Sequence, residues 1–554
     1  MTTITPDPGN HRAPRPSLRS GAGAPGTLTA VPHADQSQTT QKGASVTYPG
    51  PPRPVQVSAT PLAELADQLG AAEPDITENT AEVTGITHDS RAVRPGDLYA
   101  ALPGARLHGA DFAAQAAGLG AVAVLTDPTG AERAAATGLP VLVVDDPRTR
   151  MGELAATIYG HPGRDLLQIG ITGTSGKTTT AYLVEGGLKR TRSTGLIGTV
   201  EMRIGDDRIK SERTTPEATD LQALFAVMRE RGVEAVAMEV SSHALVLGRV
   251  DGCVFDIAVF TNLSPEHMEF HSDMEDYYRA KAQLFTPKRS KRGVVNVDDE
   301  YGRRLAREAT VPVVTYSAEG HPDADWQATD VHIGPMDSTF TVMGPEGVRI
   351  AAKSPLPGPF NVANTLAAIV ALAAAGLDPQ TAADGIAAVP GVPGRLERVD
   401  AGQAYLAVVD YAHKTDAVES VLKALRKVTK GRLHIVLGCG GDRDKTKRAP
   451  MGAAAARLAD TAVLTSDNPR SEDPLGILAT MLAGAASVPA HERGEVVLFE
   501  ERAAAIAAAV ARAHPGDTVL VAGKGHEQGQ DIAGVVRPFD DRQVLREAIQ
   551  KTQG

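Results

Sequence analysis

Leu166-Leu167-Gln168-Ile169-Gly170-Ile171-Thr172-Gly173-Thr174-Ser175-Gly176-Lys177-Thr178-Thr179 runs from an apolar segment into a glycine-rich loop and on into a helix-forming segment. Leu166 to Ile171 reads as a buried strand, and Thr179 to Leu188 as a helix. Glycines between the two let backbone N–H groups turn inward on phosphate oxygens, while the helix N-terminus adds the positive end of its dipole. In such a loop Lys177 reaches the β- and γ-phosphates, and the Thr178 hydroxyl ligates Mg²⁺. The implied ligand is ATP, cradled by Gly173, Thr174, Ser175, Gly176, Lys177, Thr178 and Thr179. The glycines stand two residues closer together than in the common G-x-x-x-x-G-K-T form.

Around this loop, apolar runs recur at Val233 to Val240, Phe255 to Phe260 and Gly293 to Val297, with helical segments between them. That rhythm predicts a parallel α/β sheet. Ser338 to Ile350 alternates about the turn Gly344-Pro345-Glu346-Gly347, which predicts a β-hairpin. On the N-terminal side, a smaller α/β domain is expected over 56–160, with strands at Asp97 to Leu102, Ala121 to Leu125 and Val141 to Val144, and a helix at Asp111 to Gly118. On the C-terminal side, the cluster Val389-Pro390-Gly391-Val392-Pro393-Gly394 marks a boundary. Beyond it, strands at Tyr405 to Asp410, Leu433 to Leu437, Ala462 to Thr465 and Thr518 to Val521 suggest a doubly wound domain over 393–554. The central domain then spans 161–392. Residues 1–55 are rich in Pro, Ser, Thr, Gly and Ala without apolar period, and read as a disordered extension.

Composition narrows the class. A chain of 554 residues with 42% hydrophobic and 22% charged residues fits a soluble multidomain protein. Its net charge of −11 speaks against nucleic acid as a partner. The basic run Lys288-Arg289-Ser290-Lys291-Arg292 reads as a solvated loop. Cys253 and Cys439 form neither a disulfide framework nor a zinc cluster, and no apolar run approaches the ~20 residues of a membrane span. A cytoplasmic protein without membrane insertion is expected.

Several polar motifs follow strands, each with a plain alternative. Glu239 ends a strand in Met238-Glu239-Val240-Ser241-Ser242-His243, where it is equally a metal ligand or a solvated loop acid. His267 and His271 share i, i+4 spacing but lack a third soft ligand, which favours a structural pair. Lys281 reads as a surface lysine, and Gly358-Pro359-Phe360-Asn361-Val362-Ala363-Asn364 as a capped helix start. Three loops after C-terminal strands carry Arg443, then Asp467-Asn468-Pro469-Arg470, then Gly523-Lys524-Gly525-His526-Glu527. Surface turns explain them as well as a site does, yet Arg443, Arg470, Asn468 and Glu527 would complement an amino acid bearing a second carboxylate.

Taken together, the short phosphate loop, Glu-Val-Ser-Ser-His at 239–243, Asn-Leu-x-x-Glu-His-x-Glu-x-His at 262–271, Gly-x-Phe-Asn-x-x-Asn at 358–364 and Asp-Asn-Pro-Arg at 467–470 resemble the Mur ligase family, ATP-dependent amide-forming ligases of peptidoglycan precursor synthesis. Glu266 and Glu269 stand where the family pattern usually has Asp. The resemblance implies a three-domain α/β architecture with a central P-loop parallel-sheet domain and a C-terminal Rossmann-like domain. By the same resemblance Lys177, Glu239, His267 and Lys281 are catalytic. Thr178, Glu239, His267 and a carbamylated Lys281 would hold Mg²⁺. Asn361 would lie near the adenine, Asp410 at the ribose, and Arg395 at the γ-phosphate. Thr214, Thr215, Ser241 and Arg249, with Ser90 in the first domain, resemble the site for UDP-N-acetylmuramoyl-L-alanyl-D-glutamate. Arg213 precedes the threonine pair where relatives can have Asn, and Leu247 replaces a Gln. Arg443, Asp467, Asn468, Pro469, Arg470, Gly523 and Glu527 resemble the amino-acid site of the meso-diaminopimelate-adding branch. Lysine-adding relatives lack the arginine of that Asp-Asn-Pro-Arg motif. A monomer is expected, closing its third domain over the second about Pro390 to Gly394. A lysine-adding or folylpolyglutamate-type ligase, or a nucleotide-binding scaffold without catalysis, are the alternatives.

Overall fold

The computed structural model describes residues 50–71 and 81–553. The segment expected to be disordered lies, as far as residue 49, outside the described residues. From residue 50 the chain is tied down: Arg53 pairs with buried Asp97 at 2.6 Å, and the backbone N–H groups of Val55 and Gln56 donate to Glu230.

Among the described residues, the strands gather into three larger sheets and two small two-stranded ones. The first, over Gly85–Thr87, Asp97–Ala101, Ala123–Thr126 and Val141–Val143, is parallel throughout. Its expected helix begins as a 3₁₀ turn, Gly109–Phe112, before Ala113–Gly118 becomes α-helical. The His108 ring and the Asp111 carboxylate satisfy the orphan N–H groups there.

The second sheet has eleven strands. Its parallel heart runs Thr194–Ile197, Ala235–Glu239, Leu167–Thr172, Phe255–Phe260, Ser290–Asn296 and Val313–Ser317. The innermost of these strands read as apolar runs because helices cover both faces. One is Lys177–Leu188; another, Pro359–Ala374, is almost wholly buried against it and the sheet. The predicted hairpin is present as Ser338–Met343 and Arg349–Ser354. The short strands Glu201–Ile204 and Asp207–Lys210 extend the other edge, and nothing in their half-exposed polar sequence announces them.

The basic run at 288–292 is only in part the expected solvated loop: Lys288, Lys291 and Arg292 are exposed, but the chain enters a strand at Ser290 and Arg289 is buried. Ser290–Asn296 is a strand beside Phe255–Phe260, and Arg289 is buried against Asp251 at 2.6 Å. Lys291 pairs with Asp256 at 2.7 Å. Arg289 and Lys291 thus each have an acidic partner some 35 residues earlier in the chain, while Lys288 approaches Glu153 at 4.0 Å and Arg292 donates to the Ala374 carbonyl, an arrangement no local pattern reveals.

The third sheet runs Glu397–Arg398, Leu406–Asp410, Thr518–Ala522, Leu433–Leu437, Thr461–Leu464 and Glu495–Leu498, parallel apart from its first strand. The last strand, Glu495–Leu498, was not named in the sequence reading, although Val496-Val497-Leu498 is a short apolar run. No helix among the described residues is long and apolar enough to cross a membrane.

Candidate functional site

Parallel strands present their C-terminal ends on one edge, and crevices open where neighbouring crossovers leave in opposite directions. Leu167–Thr172 lies between Ala235–Glu239 and Phe255–Phe260, so the glycine-rich loop, Glu239 and Thr261-Asn262 all emerge together. They line a cavity of 1140 Å³ that also takes in Asn361, Arg395 and Asp410.

Both glycines of the loop are sterically required. Gly173 and Gly176 have φ of 142° and 90°, in the region that favours glycine. A Cβ at Gly173 would collide with the Thr261 hydroxyl, and one at Gly176 with the Asn364 side-chain oxygen. The Ser175 carbonyl accepts from Thr261 Oγ1 at 2.7 Å and from Asn262 Nδ2 at 3.1 Å, while Asn262 Oδ1 takes the Ser175 N–H at 2.9 Å. Thr261 and Asn262 therefore shape the cradle, a role the sequence reading did not assign them. Lys177 folds back on the loop, donating to the carbonyls of Gly173 and Thr174, each at 2.8 Å. Burial lowers its pKa, opposed by Glu266 and Glu239.

Thr178 sits at the convergence of two elements. Its hydroxyl donates to Glu239 Oε1 at 3.0 Å and accepts from Arg395 Nη2 at 3.3 Å. Glu239 is buried and is further held by the Thr199 N–H at 2.8 Å and hydroxyl at 3.1 Å. Arg395 lies 4.4 Å over the Tyr411 ring, which aims the guanidinium at the loop. Asp410 accepts the N–H groups of Leu396 and Ala412, each at 2.7 Å, and burial pushes its carboxyl pKa up. It thus anchors the turn carrying Arg395 as well as lining the cavity. Asn361 is locked by Pro357 and Asn364 at the start of Pro359–Ala374. Thr179 is buried in the first turn of Lys177–Leu188.

Lys281 is not a surface lysine. It is 1% exposed, donates to the Gly173 carbonyl at 2.8 Å, and lies 4.6 Å over the Tyr277 ring. Burial, reinforced by the Lys177 charge, drives its pKa well below the usual lysine value. His267 takes a left-handed backbone, φ 59°, and its ring stands 4.7 Å from that of His243. Burial lowers its pKa. His271 is structural, bonded to Ser242 at 3.0 Å and to Asp276 at 3.2 Å. Glu266 meets Lys414 at 2.7 Å. Burial opposes its ionisation, yet Lys414, Lys177 and His267 hold the carboxyl down to about 2. A depressed carboxyl stabilises the fold above its unfolded pKa and loses that contribution only as the pH falls toward 2, so the pair persists near neutrality.

The residues read as an acyl-substrate site lie beside Glu239. Thr215 donates to the Glu239 carbonyl at 2.8 Å, Thr214 meets Thr199 at 3.0 Å, and Ser241 caps the short helix Ser242–Val246. Arg249 pairs with buried Glu217 at 2.9 Å, a carboxylate that Arg148 and Arg213 also approach. Ser90 lies in the turn that follows the strand Gly85–Thr87, bonded to Gln115 at 3.2 Å. Ser90 and Arg249 do not line the cavity; Thr214 and Ser241 do.

The residues expected to form an amino-acid site gather in a second place, outside that cavity's lining. Thr518–Ala522, Leu433–Leu437 and Thr461–Leu464 are neighbours in the third sheet, so the loops after them meet at one edge. Asn468 Nδ2 donates to Glu527 Oε2 at 2.9 Å. Lys524, fully buried, donates to Asn468 Oδ1 and to the same Glu527 oxygen, each at 3.0 Å. Lys524 escaped the sequence reading, although a lysine between two glycines directly after a buried strand is the signal that could have found it. Gly523, at φ 114°, has no room for a Cβ because Asp467 Oδ2 lies 2.6 Å from where it would stand. Arg470 donates to the Gly441 carbonyl at 2.6 Å, while Pro469 accepts the Glu472 N–H at 3.1 Å. Arg443 is exposed and donates to the neighbouring Asp442 carbonyl at 3.5 Å.

Beneath these loops the fully buried pair Arg502 and Asp541, at 2.7 Å, ties down their roots, since Arg502 also donates to the carbonyls of Ser466 and Ala522. Removing one partner of a buried pair strands the other charge. Arg502→Ala is expected to destabilise the protein by about 3–5 kcal/mol, measured by denaturant or thermal unfolding. An unchanged transition would show that the pair contributes nothing.

Comparison with known proteins places these features in a wider setting. Three family models match in order: Mur ligase family, catalytic domain, over 82–159; Mur ligase middle domain, over 171–372; and Mur ligase, glutamate ligase domain, over 394–525. UDP-N-acetylmuramoyl-L-alanyl-D-glutamate–2,6-diaminopimelate ligase of Streptomyces coelicolor is 88% identical over 509 residues, 92% of this chain and 100% of the relative. The protein of that name from Corynebacterium efficiens is 47% identical, over 91% of this chain and 98% of its own. A solved structure of a ligase with the same name is 33% identical, covers 90% of this chain and 100% of the other, and superposes with a TM-score of 0.65.

Proposed function

This chain belongs to the Mur ligase family, and from that membership and the site we infer that it joins meso-diaminopimelate to UDP-N-acetylmuramoyl-L-alanyl-D-glutamate, with cleavage of ATP. The arrangement that carries the amino-acid assignment is the third-sheet edge. There the Arg470 guanidinium, the Glu527 carboxylate and Asn468 stand on the loops after Thr461–Leu464 and Thr518–Ala522, the two strands that flank Leu433–Leu437. A guanidinium suits the second carboxylate of diaminopimelate, and a carboxylate suits its ammonium. L-Lysine would leave Arg470 without a partner.

The γ-phosphoryl group passes to the side-chain carboxylate of the substrate's D-Glu, forming an acyl phosphate and ADP. The diaminopimelate amine attacks the acyl carbon, and the tetrahedral intermediate collapses to amide and phosphate. Lys177 exchanges its loop carbonyls for phosphate oxygens, and Arg395 meets the same group from the third sheet's side. Thr214, Thr215 and Ser241 hold the acceptor beside Glu239, with Arg249 and Ser90 farther along the same substrate. Because water would destroy the acyl phosphate, closure about Pro390 to Gly394 protects it. The donor set fits Mg²⁺: Thr178 and Glu239 offer hard oxygens 3.0 Å apart, and His267 and Lys281 line the same cavity. Bound there, Mg²⁺ offsets the charge on the transferring phosphoryl oxygens. The domain boundaries near 160 and 393, the cytoplasmic location, the monomeric state and the lack of a nucleic-acid partner belong to the same reading.

Carbamylation consumes a neutral amine, and the buried, pKa-depressed Lys281 supplies one. Activity is expected to fall on CO₂ depletion and return with bicarbonate, and Lys281→Ala to lower kcat about 100-fold. Indifference to CO₂ would leave Lys281 acting as a bare amine. The function as a whole is tested by phosphate release with UDP-muramoyl dipeptide, meso-diaminopimelate against L-lysine. Turnover with diaminopimelate and little with lysine is expected; the reverse would make this a lysine-adding ligase.

A further inference from the structure

The antiparallel strands Gly529–Ile532 and Val535–Pro538 stand apart from the third sheet, joined by Ala533 and Gly534, both at positive φ of 52° and 79°. Two such residues make the tight turn whose twist matches a hairpin. The hairpin is too short to be stable by itself. Its first strand is spent on one neighbour. Gln530 Nε2 donates to the Asp467 carbonyl at 2.7 Å, and the Asp531 N–H donates to Asn468 Oδ1 at 3.0 Å. The Arg470 N–H donates to the Asp531 carbonyl at 3.0 Å, and the Ala533 N–H to the Arg470 carbonyl at 2.7 Å. The Asp467 to Arg470 loop is therefore laid along the hairpin as a third, partial strand, with a parallel bridge between Arg470 and Ile532.

This contact explains a conformation that the loop would not keep unaided. Arg470 has φ 52°, in the left-handed region that non-glycine residues avoid. Both of its backbone groups are held by the hairpin, so the strained backbone is imposed from outside the loop. That backbone sends the guanidinium toward Gly441, next to Asn468 and Glu527. Gln530 is the one link in this set made by a hairpin side chain, and it is buried, at 8% exposure.

We propose that the Gly529–Pro538 hairpin is a specificity-positioning element, with Gln530 as its adjustable residue, setting where Arg470 and Asn468 stand and hence the preference for an amino acid with a second carboxylate. Gln530 touches no reacting atom; it acts through Asp467. The proposal rests on the diaminopimelate reading above.

The test compares steady-state kinetics of the full-length wild type with Gln530→Met, which keeps length and bulk but loses the donor, and with Gly534→Val, which disrupts the turn from a distance. For both variants KM for meso-diaminopimelate should rise about tenfold. KM for ATP, KM for the UDP-linked dipeptide and kcat at saturation should stay within about twofold, since Arg470 binds without reacting. The weak use of L-lysine, which offers Arg470 no carboxylate, should not change, so selectivity falls. An unchanged KM for diaminopimelate in Gln530→Met overturns the proposal. So does a fall of kcat together with a rise of every KM, the mark of a merely structural residue. Wild type that fails to use diaminopimelate overturns the underlying reading instead, which keeps the two failures distinct.

Discussion

Replacing Lys177 by alanine is expected to reduce phosphate release about a thousandfold, with the fold intact. The lysine is half-buried and held by two carbonyls of its own loop, so in the proposed mechanism its ammonium is already partly desolvated and positioned for phosphate oxygens. A preorganised charge of this kind needs no rearrangement when negative charge moves during transfer. The carbonyls of Gly173 and Thr174 lose a donor in the variant, although Lys281 still serves Gly173. A small loss of stability therefore accompanies the large loss of rate. The two effects separate by measuring unfolding and UDP-substrate binding alongside ADP formation. Residual activity within tenfold of wild type would remove Lys177 from the phosphoryl-transfer machinery.

The second large effect belongs to Arg470. Arg470→Ala is expected to lower kcat/KM for meso-diaminopimelate about a thousandfold, because an unpaired carboxylate in a partly desolvated site costs about 3–5 kcal/mol. ATP binding should be preserved, as the phosphate cavity is lined by other residues. Alanine at φ 52° is also strained, so Arg470→Gly is the informative companion. If both variants lose diaminopimelate use equally, the guanidinium is responsible. If glycine restores it, backbone geometry was the cause and the charge assignment fails. Arg470→Lys should recover little, since an ammonium cannot reproduce the two-pronged contact.

Much of the architecture was legible because its signals are local. The strands Leu167–Thr172, Ala235–Glu239 and Phe255–Phe260 of the central sheet are largely apolar runs visible without knowing their neighbours, whereas Thr194–Ile197 and Val313–Ser317 went unnamed. The hairpin after Ser338 shows through its turn residues. The edge strands Glu201–Ile204 and Asp207–Lys210 were not legible, since half-exposed positions carry no apolar pattern. The misreading of residues 288–292 has the same root. A basic run looks solvated until Asp251 and Asp256, far off in sequence, are seen beside it.

The candidate site divides along the same line. The phosphate loop was complete in the sequence, because strand, glycines, lysine and helix are contiguous and most of the donors are backbone groups. The family motifs likewise pointed to Glu239, His267, Arg470 and Glu527. Only the folded chain decided which of these meet and what holds them. Thr178 lies between Glu239 and Arg395, 61 and 217 residues away. Lys524 binds Asn468 across 56 residues, and the hairpin clamps Arg470 from the far side of a permuted strand order. Lys281 is the plainest instance: by spacing a surface residue, in the fold a buried amine on the Gly173 carbonyl. Burial and long-range pairing are properties of the sheet order, and that order is set by how all the apolar faces pack at once rather than by any single stretch of chain.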